Sequence, residues 1–121
     1  MSRYVIPALV AASLCAAPAF AHHGWSAQEE NVTDLTGTVT RDVSLAGPHG
    51  TMQIRVGTAI WDVTLAPPAR TAAAGLKPGV IPVGATVTVR GNKAVTKARN
   101  EMKTIVVIHG KQRYAVYPER E

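Results

Sequence analysis

Two histidines, His22 and His23, directly follow Ala19-Phe20-Ala21, the small-x-small pattern that a signal peptidase reads. Cleavage after Ala21 would make His22 the first residue of the mature chain. Its α-amine and its ring nitrogen would then close a chelate on one residue, and Cu(II), which favours tetragonal nitrogen fields, suits that pair best. A second imidazole opposite them would complete a T-shaped three-nitrogen set, a histidine brace. The α-amine must lose its proton, which an ordinary pKa of about 7.7–8.0 makes easy near neutral pH. His49 is the preferred second ligand, because Pro48 and the flanking Gly47 and Gly50 stiffen its loop. His23 offers a competing local mode through the amine, the intervening backbone nitrogen and its own ring. His109 and Met52 are lesser donors: the first reads as a strand end, the second as a core residue on an apolar face.

The chemistry depends on export. Arg3 supplies a basic start, residues 5–17 are apolar, and Pro18 breaks the segment ahead of Ala19. A bilayer-spanning helix needs about 20 consecutive apolar residues, and this run is shorter, so residues 1–21 are expected to be a cleaved signal peptide. Leu14 before Cys15 is too bulky for a lipid-attachment site. The expected location is the periplasm, with no transmembrane anchor after cleavage.

Cleavage removes Cys15, the only cysteine, and Phe20, the only phenylalanine. Thiolate metal sites, disulfides and cysteine nucleophiles are thereby excluded from the mature domain, which must hold together by its core in an oxidising compartment. Loss of Arg3 lowers the formal charge from +5 to +4, a mild basic balance. Arg90, Lys93, Lys97, Arg99 and Lys103 form a basic segment with no interleaved aromatic. It reads as a solvated face, with attraction to an anionic envelope polymer as its functional version and no nucleic-acid partner. The acids Asp34, Asp42, Asp62 and Glu101 are scattered, and Ser26 and Ser44 lack a G-x-S-x-G frame. No Walker loop, zinc helix or calcium loop is present. No enzyme is expected.

The elements that must position the histidines read as strands. Residues 22–31 are polar and without period, an extended lead-in to a domain over 32–121. From Leu35, apolar Leu35, Val39 and Val43 alternate with Thr36, Thr38 and Asp42. Met52, Ile54 and Val56 mark a second strand, Gly57-Thr58 a two-residue hairpin turn, and Trp61, Val63 and Leu65 a third strand. Residues 67–74 form the one plausible helix, with proline in its first turn and Gly75 as its stop. Val83, Ala85, Val87 and Val89 alternate in a fourth strand, and residues 91–100 are polar and basic. The run 105–108 is a strand buried on both sides, and Gly110-Lys111 turns into a last short strand at 112–117. This is the element order of a mainly β, five- to six-stranded OB-like barrel with one short helix between strands 3 and 4, expected as a monomer.

Several segments resemble a family of short exported bacterial proteins of unknown function: Ala21-His22-His23, Leu35-Thr36-Gly37-Thr38-Val39, Pro48-His49, Leu76-Lys77-Pro78-Gly79 and Val87-Thr88-Val89-Arg90-Gly91. The match spans nearly the whole mature chain in order. The family usually has asparagine before Pro-His, where this chain has Gly47, and an acidic residue where it has Ala85. The resemblance implies an OB-like barrel in the periplasm and supplies no activity. Two functions follow from the residues: a copper-binding or copper-handling protein using His22, His49 and His23, or a metal-free exported module that binds a protein, a glycan or an anionic envelope component.

Overall fold

The β-branched, alternating segments pair into one sheet that closes on itself. The computed structural model describes residues 25–96 and 98–121, so the expected signal peptide and both His22 and His23 lie outside the described residues. Its elements are β1 (Gln28–Ser44), β2 (Thr51–Val56), β3 (Ala59–Thr64), α1 (Pro68–Ala73), β4 (Thr86–Ala94), β5 (Glu101–His109) and β6 (Gln112–Ala115), followed by a 3-10 turn at Pro118–Arg120. Neighbouring strands run β3-β2-β1-β4-β5-β6 and are antiparallel. A short parallel ladder, Asp62 to Glu101 through Thr64 to Lys103, joins β3 to β5 and closes a ring of five strands. That is the expected OB-like barrel, with α1 between β3 and β4.

β1 serves two partners. Its first half pairs with β4, from Gln28–Ala94 to Thr38–Thr86, and its second half pairs with β2 from Thr38–Arg55 onward. The change of partner requires a close approach at Gly37, where a Cβ would lie 2.3 Å from the Arg55 carbonyl oxygen. Gly91 does the same at the register shift between β4 and β5, with a Cβ position 2.2 Å from the Lys103 carbonyl oxygen. Glycines and bulges at such points let a sheet coil tightly enough to close.

The alternating apolar side chains meet inside: Val39, Met52, Ile54, Val63, Val89 and Met102 are each at most 1% exposed. Met52 is therefore core, as its position on the apolar face indicates. The β3–β4 connection adds Leu76 and Ile81, both 0% exposed, to the same core. α1 ends in a Schellman motif, in which Gly75 (φ 91°) donates to Ala72 and Leu76 to Thr71. Both tight hairpins have a positive φ at their glycine, Gly57 and Gly110.

Three details differ from the sequence reading. Val83 is 60% exposed and precedes β4, because Gly84 (φ 94°) and a turn from Pro82 to Ala85 interrupt the alternation. β4 continues through the polar stretch to Ala94. β1 begins at Gln28, ahead of the apolar alternation, and the side-chain amide of Asn92 serves this irregular start by donating to the Glu29 carbonyl at 2.9 Å. Pairing there is carried by backbone and an amide, so no apolar period announces it.

Candidate functional sites

His49 lies in the β1–β2 loop, residues 45–50, and is half-buried. The loop is fixed to the end of β3 immediately after it. Gly50 donates to the Ala66 carbonyl at 2.8 Å and accepts from Leu65 at 2.7 Å. Gly50 also fits closely over α1, since a Cβ there would stand 3.0 Å from the Thr71 hydroxyl. The Thr71 hydroxyl in turn donates to the Ala66 carbonyl at 2.7 Å. The backbone carrying His49 is thus held by two elements.

The described chain starts at Trp25, and that residue is anchored. Its ring meets Tyr117 edge-on at 5.2 Å and 76°. The Arg120 guanidinium lies 4.0 Å and the Lys103 ammonium 4.6 Å from its centroid. Burial under this cluster, and the nearby Arg120 charge, lower the Lys103 pKa, while burial raises that of Tyr117. Arg70 of α1 covers Tyr117 from 4.7 Å and pairs with Glu119. The first described residue, the last turn and the helix therefore share one cluster over β5.

The strand register relates Lys103, one of the cations over the Trp25 ring, to the strand that follows the His49 loop. Lys103 pairs with Thr64, and Thr64 pairs with Thr51, which follows His49-Gly50. Two inter-strand spacings are about 10 Å. His109, by contrast, ends β5 and lies about 20 Å of strand beyond Lys103. Among the described residues no three of His, Cys, Asp and Glu gather closely enough to hold a metal ion.

A second group occupies the opposite end of β3. Lys93 pairs with Met102, which places it on the inner face where the barrel opens. Its ammonium stands 5.4 Å from the Trp61 ring centroid. Trp61, Lys93, Ala94, Glu29 and Arg99 line a pocket of about 250 Å³ at this mouth. The basic segment does have aromatic partners, then, supplied from elsewhere: Trp61 of β3 to Lys93, and Trp25 to Lys103. Spacing along the segment could not show this. The register pairing of the third and fourth strands to the fifth was the missing information.

Arg90, the first of the basic set, is committed to structure. It grips Asp34 across β1 and β4, Nε to Oδ1 at 2.8 Å and Nη2 to Oδ2 at 3.1 Å. That hydrogen bonding holds the Asp34 carboxyl below its ordinary pKa. Among the described residues no helix is long and apolar enough to cross a membrane.

No protein-family model matches the sequence, and no curated protein does. Among solved structures, the chain is similar to one described as a ZRD-deleted mutant of TiaS in complex with agmatine, with a TM-score of 0.52 and 13% identity over 71% of this chain. The match spans 26% of that longer chain, about a quarter of its length. At this identity the likeness concerns the fold alone.

Proposed function

We propose that this chain is a small, non-catalytic periplasmic protein that binds and handles copper through its mature N-terminus. His22 supplies the α-amine and one ring nitrogen, His49 the opposing imidazole, and His23 the competing local donor set. The observation that carries this reading is the anchoring of Trp25 against Lys103, whose strand register leads through Thr64 to Thr51 beside the His49 loop. Residues 22–24 can extend at most about 10 Å, and Lys103, whose ammonium lies over the Trp25 ring, is two strand spacings from Thr51, two residues after His49. The donor chemistry fits Cu(II): nitrogen ligands only, no thiolate in the mature sequence, and Met52 buried in the core. The resemblance to exported proteins supports the location.

The test compares protein beginning at His22 with protein carrying one extra residue before it, both titrated with Cu(II) against a competing chelator. The blocked form should bind at least about tenfold more weakly, roughly 1.4 kcal/mol. Equal affinities would remove the brace. One observation favours a second reading, an exported metal-free module for a protein, glycan or anionic envelope component. Lys93, Lys103 and Arg120 are held against tryptophan faces on the surface, a pairing of charge and aromatic area suited to ligand contact.

A further inference from the structure

We propose that the barrel mouth formed by Trp61, Lys93, Arg99 and Glu29 binds one acidic sugar residue, a uronate, as a free unit or within an anionic glycan. The site shares no residue with the copper donors. It sits at the start of β3, whereas the His49 loop is joined to the end of that strand, so either proposal can fail while the other stands.

The pocket's charge is unbalanced. Lys93 makes no ion pair among the described residues. Arg99 reaches Glu101 only at 3.7 Å, with its own side chain 73% exposed. Two weakly neutralised cations thus face a single carboxylate, Glu29, across the cavity. Trp61 packs part of its surface on the core and leaves part of its ring to the pocket. The volume, about 250 Å³, is below the roughly 300–1,000 Å³ of sites for drug-sized ligands, which limits the occupant to about one ring.

Each lining group selects against a different competitor. An inorganic anion such as phosphate would use the cations and leave the indole without a partner. An aromatic carboxylate would use the cations and the indole but set its carbon edge against the Glu29 charge, which needs hydrogen-bond donors. A neutral hexose would serve the indole and Glu29 and leave both cations unpaired. A uronate serves all of them: its carboxylate goes to Lys93 and Arg99, its C–H face to Trp61, and its hydroxyls donate to Glu29. Lys93 would leave the ring face to meet the carboxylate, exchanging a cation–π contact for a charge-assisted hydrogen bond, the stronger of the two.

The two indole N–H signals of Trp25 and Trp61, assigned with Trp25→Phe, provide the readout in a nitrogen-correlated NMR titration. Galacturonate and its trimer are the probes; galactose, benzoate and inorganic phosphate are the controls. Galacturonate should shift the Trp61 signal saturably and leave that of Trp25 in place, and 0.5 M NaCl should weaken the binding. Lys93→Gln and Arg99→Gln should each raise the midpoint at least threefold. Glu29→Ala should weaken galacturonate while improving benzoate. Arg99 lies in an exposed loop, so its variant keeps the test open should another fail to fold. An unmoved Trp61 signal overturns the proposal. So does a response to galactose, benzoate or phosphate at or below the galacturonate midpoint.

Discussion

Replacing Trp25 with alanine should loosen the cluster that fixes the start of the described chain. The ring's edge-on contact with Tyr117 at 5.2 Å is of a kind worth about 0.5–1.5 kcal/mol. Arg120 at 4.0 Å and Lys103 at 4.6 Å add about 0.5–1 kcal/mol each, the value for partly exposed cation–π pairs. A fully buried tryptophan costs about 3–5 kcal/mol on truncation, and Trp25 is half-buried. These estimates describe the same atoms, so they bracket one another rather than add. The expected loss is about 2 kcal/mol, partly offset because Lys103 returns to water. Urea unfolding followed by far-ultraviolet circular dichroism measures it without relying on the deleted fluorophore. Trp25→Phe, which keeps the contact with Tyr117 and has a weaker ring quadrupole, should recover about half. A loss below about 0.5 kcal/mol for the alanine variant would show that Trp25 merely rests on the surface. The proposed reach from Trp25 to His49 would then lack a fixed origin.

Two further outcomes test the fold. Gly91→Ala should cost more than about 3 kcal/mol, among the largest effects of single substitutions, because its Cβ meets the Lys103 backbone at 2.2 Å. Gly57→Ala, with open space around it and only its φ of 61° to resist, should cost about 1–2 kcal/mol; thermal melts that rank the two in reverse would contradict the closure described for β4. Acid should also weaken the barrel through Asp34 and Glu119, whose carboxyls lie below their ordinary pKa values in the fold. The unfolded chain takes up those protons first, so the stabilisation is complete above the ordinary carboxylate range and is lost as pH falls through the folded values. The Asp34–Arg90 pair is half exposed, so its share should be under about 1 kcal/mol. Asp34→Asn should remove that share at pH 7 and flatten the acid limb of a pH-dependent urea series.

The barrel was legible because its signal is local. Strict alternation at Met52–Ile54, Val63–Leu65 and Val87–Val89, glycine hairpins at Gly57 and Gly110, and proline with Gly75 around α1 each act within a few residues. The start of β1 was not legible, since Glu29-Glu30-Asn31 pair through backbone carbonyls and the amide of a residue in β4, Asn92. Val83 misled for a related reason: it keeps the period of β4 but sits before the turn at Gly84. The sites divide in the same way. His49 and its stiff loop could be picked out from neighbouring residues alone. The mouth needs Glu29, Trp61, Lys93 and Arg99 from four separate stretches, and only the ring closure through β3 and β5 assembles them.

On the proposed reading, one copper ion joins the mature N-terminus to His49. Electron paramagnetic resonance of Cu(II)-loaded protein beginning at His22 tests it most directly, measured for the native sequence and for His49→Ala. The proposal predicts a three-nitrogen signal that changes in g-values and hyperfine splitting when the His49 imidazole is lost, with affinity falling at least about tenfold. An identical spectrum and affinity in the variant would contradict it and leave the local His22–His23 mode as the whole of the copper chemistry.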